Sequence, residues 1–163
     1  SIESVYVRTD PETYTSRYSV SSGVVWPQQQ VEAQFSLPYL IGCALILGGV
    51  GIDQINAFDD PSVLAASALV KSESKEGMAK GWAEIEVVCS EGKSASVELE
   101  PPSGSPDNPL TSKQLKEKFR DCAAHALRPA STSSVEKMIA LILDTEVMDD
   151  SRELTNLSIP RVD

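Results

Sequence analysis

The chain has 163 residues, 41% of them hydrophobic, and a formal net charge of −10. This length fits one domain of ordinary size with a real core, and the composition is that of a globular protein rather than a disordered one. The acidic balance argues against a nucleic-acid partner, because phosphate would be repelled. It also disfavours a small polyanionic substrate unless another segment or chain supplies cations.

The cysteines and the apolar segments indicate the cellular compartment of the protein and whether it spans a membrane. Cys43, Cys89 and Cys122 are few, far apart and set among apolar neighbours, which is typical of buried reduced thiols. No signal-peptide pattern opens the sequence, so we predict an intracellular protein, cytoplasmic or mitochondrial, that is not secreted. The uncharged window 33–52 holds a proline and four glycines and lacks flanking cations. We therefore predict a buried helix there and no membrane span.

The first third of the chain predicts a strand followed by a loop and a helix. Residues 2–9, "IESVYVRT", alternate between apolar and polar types as a strand does. Residues 10–30 are predicted to form a loop, with a short strand at "SGVVW", residues 22–26. Ser36 is placed to cap a helix that ends at Gly48.

The middle of the chain predicts another helix and a hairpin. Asp60 followed by Pro61 is a helix start. Residues 83–99 read "AEIEVVCSEGKSASVEL", two alternating runs joined by a "SEGK" turn, and so predict a two-stranded hairpin with one wet face.

The last third predicts two amphipathic helices after a proline-rich connector. Thr111 and Gln114 form a capping box at the first helix, and Ser133 with Glu136 is predicted to open the second. The chain is thus predicted to have an α+β region, residues 1–100, and a region 101–163 of connector and helices. The apolar faces of such a helical pair need another surface to dock on.

No motif in the chain identifies a reaction by itself. The sequence has no metal-ligand cluster, phosphate loop or nucleophile elbow, and "GGVG" at 48–51 is predicted to stop a helix. His125 is interpreted as structural. Tyr39 has two interpretations: a core tyrosine bonded to a backbone carbonyl, or a phenol in a cleft that donates a hydrogen bond or a proton to a substrate. Periodicity does not choose between them.

Several stretches, in order, resemble one family. They are "VEAQFSLPYLIGCALILGG" (31–49), "FDDPSVLAASALVKSES" (58–74), "AEIEVVCSEGKSASVELEPPSGSPDNPLTSKQLKEKFRDCAA" (83–124) and "ILDTEVMDDSRELTNL" (142–157). Together they resemble the later lid domain and C-terminal helices of the MmgE/PrpD family, which includes 2-methylcitrate dehydratases, cis-aconitate decarboxylases and iminodisuccinate epimerases. The second stretch is similar to a helix followed by a strand.

The resemblance implies a function and a small set of site residues. The implied activity is a cofactor-free lyase reaction on a small di- or tricarboxylic acid, with an isomerase or a non-catalytic lid subunit as alternatives. The family's active-site tyrosine aligns with Tyr39, and Ser36, Gln34 and Gly104 are weaker substrate-binding candidates; Ser103 stands where many relatives have a basic residue. The implied partners are a helical N-terminal domain or subunit, outside these residues, and a second copy in a homodimer.

Overall fold

A computed structural model describes residues 1–15, 26–99 and 101–159 of the chain. It divides into two compact units, Ser1–Asn108 and Pro109–Asp163. The proline-rich connector up to Asn108 groups with the first unit. Within the described residues, no helix is long and apolar enough to cross a membrane.

The first unit contains a mixed four-stranded sheet with the order β2-β1-β3-β4. The strands are β1 (Ile2–Thr9), β2 (Val70–Ser74), β3 (Ala83–Cys89) and β4 (Ser94–Leu99). The central strand β1 pairs parallel with β2 and antiparallel with β3, so that Val5 lies opposite both Val70 and Val87. The predicted first strand and the β3–β4 hairpin are confirmed, and the fold is α+β.

The two faces of the sheet differ in character because side chains alternate along each strand. Val5 and Val7 are buried on one face, while Tyr6 and Arg8 lie on the other, more polar face. The hairpin turn depends on two consecutive residues with positive φ, Glu91 at 70° and Gly92 at 69°. Turns of this kind match the twist of the strands that they join.

Five α-helices accompany the sheet in the described part of the first unit. They are α1 (Pro11–Thr13), α2 (Gln30–Phe35), α3 (Leu37–Leu47), α4 (Ile52–Asn56) and α5 (Pro61–Ser67). The predicted limits of α3 are confirmed: Ser36 caps it, and Gly48, with φ of 75°, ends it. The predicted start of α5 is also confirmed, since the Asp60 carboxylate accepts the N–H groups of Ser62 and Val63.

The described part of segment 10–30, predicted as a loop, contains the short helix α1, and α2 begins at its last residue. The single turn α1 forms because Asp10 Oδ1 accepts the N–H groups of Glu12 and Thr13, at 3.1 and 3.0 Å. The short helix α2 begins at Gln30 without a side-chain cap. The strand predicted at residues 22–26 lies outside the described residues, except for Trp26.

The helical core of the first unit forms around α3 and α5. Its fully buried members are Ala33, Tyr39, Cys43 and Val63, with Leu40, Ile55, Phe58 and Leu64 packed against them. Only part of α3 is enclosed: Tyr39, Gly42 and Cys43 are buried, whereas its last turn is exposed. The prediction of a buried helix is therefore right for its first two turns and wrong for its end.

Over residues 109–159, the second unit contains three α-helices. These are α6 (Ser112–Ala124), α7 (Thr132–Leu143) and α8 (Arg152–Ser158). The predicted capping box of α6 is confirmed, with Gln114 N–H to Thr111 Oγ1 at 3.3 Å and Thr111 N–H to Gln114 Oε1 at 2.8 Å.

The predicted start of α7 is wrong by two residues. Ser131, not Ser133, is the cap, and its hydroxyl oxygen accepts the Ser134 N–H at 3.1 Å. With the cap at Ser131, the third helical residue is Ser134, so Glu136 has no place in a capping box. Glu136 instead forms a two-pronged ion pair with Arg120 of α6, at 2.6 and 2.9 Å. The unpredicted helix α8 supplies the apolar cover that a helical pair lacks: Leu154 and Leu157 pack against the buried face of α7, formed by Val135, Met138 and Ile139.

Candidate functional site

The position of Tyr39 is set by the first turn of α3. Ser36, itself buried, caps the helix, and its Oγ accepts the Tyr39 N–H at 3.2 Å. Pro38 has no backbone N–H, and it is tolerated here because N–H groups in the first turn of a helix have no partner within the helix. The Tyr39 side chain points inward and has no exposed surface.

The Tyr39 hydroxyl is bonded to the backbone. It donates to the carbonyl oxygen of Gln54 at 2.6 Å, and the Cys43 thiol, one turn further along α3, lies 3.7 Å from the same oxygen. That carbonyl also accepts the Ala57 N–H at 3.2 Å. Two side chains of α3 thus hold the end of α4.

Burial keeps both of these acidic groups protonated. It is the main cause that raises the pKa of Tyr39, and the Cys43 thiol and the carboxylates of Asp60 and Asp59 raise that pKa further. Burial likewise raises the pKa of the Cys43 thiol. Since the thiolate is the nucleophilic form, Cys43 is a poor nucleophile, and Tyr39 is a neutral phenol rather than a phenolate base.

A glycine brings α5 close to the same part of α3. A Cβ at Gly42 would lie 2.4 Å from Ser67 Oγ and 2.7 Å from the carbonyl oxygen of Val63. Both distances are shorter than nonbonded contact allows, so only glycine fits this helix crossing. The Ser67 hydroxyl is itself turned back to its own helix, donating to Val63 O at 2.8 Å.

The four predicted site residues lie on α2, at the start of α3 and in the connector. Ser36 and Tyr39 are joined directly, but Ser36 Oγ is occupied as a helix cap. Gln34 is exposed on α2. Gly104, with φ of 93°, lies in the connector, where its N–H donates to Asn108 O at 2.7 Å. The positive φ is enough to explain why position 104 is a glycine, so no bound ligand is needed to explain it.

This geometry is that of the core interpretation of Tyr39. The catalytic role that the resemblance assigns to Tyr39 stays a prediction, and so do the binding roles of Ser36, Gln34 and Gly104. The structure defines what the role of Tyr39 requires: the hydroxyl must leave Gln54 before it can reach a substrate. Gln54 itself was missed in the sequence because a backbone acceptor leaves no residue-type signal.

A second cluster, also missed in the sequence, lies on the polar face of the sheet. Arg8 on β1 contacts the carboxylates of Glu73, Glu84 and Glu86 at 2.8–2.9 Å, and these hydrogen bonds raise its pKa. Lys75 forms an ion pair with Glu84 as well. Because three carboxylates already surround Arg8, the guanidinium is a poor attractor for a further carboxylate. Alternation along β1 and β3 could have placed these charged side chains on one face of each strand. The sequence does not show that the two strands pair, so it could not bring the cluster together.

Among the described residues, no three His, Cys, Asp or Glu side chains are placed so that they could hold a metal ion. His125 ends α6, and its Nδ1 lies 2.8 Å from Asp121 O and 3.3 Å from Asp121 Oδ1. These local contacts agree with a structural histidine.

Comparison with protein families decides the relationship of the chain. Residues 1–144 match the model of the MmgE/PrpD C-terminal domain. The chain belongs to the MmgE/PrpD family. The match begins with β1 and runs through α7, so this MmgE/PrpD chain corresponds to the C-terminal portion of the family, as its sequence suggested. Comparison with individual curated proteins gives no match.

Proposed function

We propose that the chain is the C-terminal part of a cofactor-free lyase, a dehydratase or decarboxylase, that acts on a small di- or tricarboxylic acid such as 2-methylcitrate or cis-aconitate. The observation that carries this proposal is the family match over residues 1–144. The proposal takes its reaction from the chemistry of the family. The residues of this chain then indicate which groups this chain supplies and which must come from a partner.

The proposed reaction uses a base that lies outside these residues. In dehydration, the base takes the proton on the carbon next to a carboxylate, and Tyr39 gives its proton to the departing hydroxyl group, so that water leaves. In decarboxylation, carbon dioxide leaves, and Tyr39 protonates the carbon that held it. In both cases Tyr39 is a neutral donor beside a developing negative charge. Its raised pKa keeps it protonated beforehand but makes it a weaker acid, so the proposed proton transfer requires the hydroxyl to leave its buried position first.

Charge supports a division between this chain and a helical partner. A chain with a formal net charge of −10 does not attract a polycarboxylate, and its Arg8 already contacts three carboxylates of the same chain. The cations that hold the substrate would therefore come from a helical N-terminal domain or subunit, in a homodimer.

One observation favours a second candidate function, that of a non-catalytic lid or binding subunit. The Tyr39 hydroxyl is fully buried and satisfied by Gln54 O at 2.6 Å. A phenol that remains so placed stabilises the lid and touches no substrate.

An assay in deuterated water separates these functions. The full-length gene product is incubated with cis-aconitate or 2-methylcitrate, and mass spectrometry follows loss of water or carbon dioxide and uptake of deuterium. Loss of either small molecule supports the lyase. Deuterium uptake at the carbon next to the carboxylate, without loss of water or carbon dioxide, identifies an isomerase or epimerase on the same scaffold. If neither acid shows loss or deuterium uptake, the result supports the non-catalytic lid.

Two variants test Tyr39 within the same assay. Tyr39→Phe should lower turnover at least about a hundredfold, the lower end of what one proton-transfer group contributes. The matched control is Cys43→Ala, which disturbs the same core and the same Gln54 carbonyl without removing the phenol. Equal turnover in both variants, measured below their melting temperatures, assigns Tyr39 to structure alone.

A further inference from the structure

Helix α4 supplies the acceptor of the Tyr39 hydroxyl, yet α4 itself is only lightly enclosed. It has five residues, Ile52–Asn56, and none of them is buried. Of its side chains, Ile55 packs against the helical core around Tyr39. A helix of this length is not stable by itself in water, so its position depends on the contacts that it makes.

Gln54 makes polar contacts that hold α4 in place. Its carbonyl oxygen accepts the Tyr39 hydroxyl at 2.6 Å and the Cys43 thiol at 3.7 Å, which joins α4 to α3. Its side-chain Oε1 accepts the N–H of Gly51, the residue before α4, at 2.8 Å. One residue thus holds the start of α4 and fixes α4 to the helix that carries the phenol.

The segment between α3 and α4 is rich in glycine. It contains Gly48, Gly49 and Gly51. Gly48 is explained by its φ of 75°, which ends α3. Gly49 has no positive φ, and no described atom lies within 4 Å of the place where its Cβ would be. Neither conformation nor crowding requires glycine at position 49, and what glycine provides there is a backbone that can change direction easily.

The next helix, α5, is fixed more firmly than α4. Three of its residues are buried: Val63, Ala66 and Ser67. Its crossing with α3 at Gly42 leaves no space even for a Cβ. Moving α5 away would expose this packed interface, whereas moving α4 away uncovers Ile55 and breaks the contacts of the Gln54 carbonyl. Because local opening is easiest where few apolar contacts are lost, α4 opens at a lower cost in free energy than α5.

We propose that α4 is a latch over Tyr39, which opens locally while α3 and α5 stay packed together. Opening separates the Gln54 carbonyl from the Tyr39 hydroxyl and from the Cys43 thiol, and both groups then become accessible to solvent. Gln54 is the positioning residue of the latch, since it acts on the phenol through its backbone. The opening follows from the contacts of α4, whereas its use, to release the phenol to a substrate, rests on the proposed function.

The reactivity of Cys43 measures this opening on the full 163-residue chain. Cys89→Ser with Cys122→Ser leaves Cys43 as the only thiol, and circular dichroism verifies folding. The rate of alkylation by iodoacetamide is followed from zero urea to just below the unfolding transition. Because opening of one short helix exposes little surface, the rate at low urea should change little with urea and exceed what global unfolding allows. A rate that follows global unfolding at every urea concentration would overturn the proposal.

Gln54→Ala should loosen the latch. It removes the acceptor of the Gly51 N–H and leaves the backbone carbonyl in place, so alkylation of Cys43 without urea should become about fivefold faster, the effect of one hydrogen bond. Gln114→Ala is the matched control, because Gln114 Oε1 accepts the Thr111 N–H at the same 2.8 Å at the start of α6, and it should leave the rate unchanged. Equal rates in the two variants would contradict the latch, and so would an increase in Gln54→Ala that its loss of global stability explains fully.

Gly49→Ala tests the glycine segment and links the latch to activity. Because a Cβ fits at position 49, alanine restricts the open state without disturbing the closed one, and alkylation of Cys43 should slow about twofold. In the full-length gene product, turnover of cis-aconitate or 2-methylcitrate should fall by the same factor, and unchanged turnover would show that Tyr39 acts without opening of α4. Local alkylation without turnover of either acid removes the proposed function and leaves the latch, whereas turnover without local alkylation removes the latch.

Discussion

Tyr39 shows how far one residue can be interpreted from sequence. The serine three positions before it predicted its place in the first turn of a helix, and that placement is confirmed. Its acceptor, the carbonyl of Gln54, belongs to a helix fifteen residues away that no local pattern predicted. Residue type gives the chemistry of a side chain, whereas burial and partner depend on packing between elements.

Replacing Tyr39 by Phe should lower the free energy of unfolding by about 1 kcal/mol, the net worth of one hydrogen bond. The loss stays near this value because the ring remains in place and Gln54 O keeps the Ala57 N–H. Urea denaturation of the chain followed by circular dichroism measures it.

Tyr6→Phe is the control for that measurement. The Tyr6 ring lies on the polar face of the sheet, 5.3 Å from the Arg8 guanidinium and 5.2 Å from Lys71 Nζ, and these contacts involve the ring rather than the hydroxyl. This variant should stay within about 0.5 kcal/mol of the parent chain. Equal stabilities of the two variants would show that the Gln54 hydrogen bond has no net effect on folding.

At the scale of elements, local signals predicted well and distant ones did not. Asp60, Gly48 and the Thr111 capping box mark helix ends through contacts within a few residues, so their positions could be predicted. The parallel pairing of β1 with β2 joins residues about 65 positions apart, as in Val5 with Val70, and alternation cannot give that register. The end of α3 was misjudged because apolar composition predicts that a helix is buried but not how much of its length the rest of the chain covers.

The candidate site was predictable only in part for the same reason. Ser36 and Tyr39 are neighbours in sequence, and the structure joins them through a helix cap. Gln34 and Gly104 were grouped with them by resemblance, and they lie on different elements, α2 and the connector. A site built from distant segments needs the tertiary arrangement to be known.

The start of α7 provides a test between two neighbouring serines. Ser131→Ala should destabilise the helix by about 1 kcal/mol because the Ser134 N–H loses its acceptor. Ser133→Ala, the matched control inside the helix, should change stability by less than about 0.5 kcal/mol. Hydrogen exchange of the α7 amides measures both. Faster exchange in Ser133→Ala than in Ser131→Ala would restore the start that the sequence suggested.

For the whole molecule, the uneven distribution of charge matters more than any single ion pair. The carboxylates exceed the basic residues by ten, and a basic-free segment covers residues 26–70. Ion pairs such as Arg120–Glu136 involve side chains 44% and 47% exposed, and pairs of that kind contribute little. Repulsion among the excess carboxylates therefore dominates the response of stability to salt.

Added salt should raise the melting temperature of the chain. Going from about 20 mM to about 300 mM NaCl shortens the Debye length several-fold and screens the repulsion. We expect a rise of about 2–4 °C, which corresponds to about 1 kcal/mol for a chain of this size. The double variant Glu76→Gln with Glu98→Gln, which neutralises two exposed carboxylates, should melt higher at low salt and respond less. Screening weakens attraction and repulsion alike, so their balance sets the sign of the change in melting temperature. A melting temperature that falls with salt in both proteins would show that the attraction within ion pairs outweighs the repulsion.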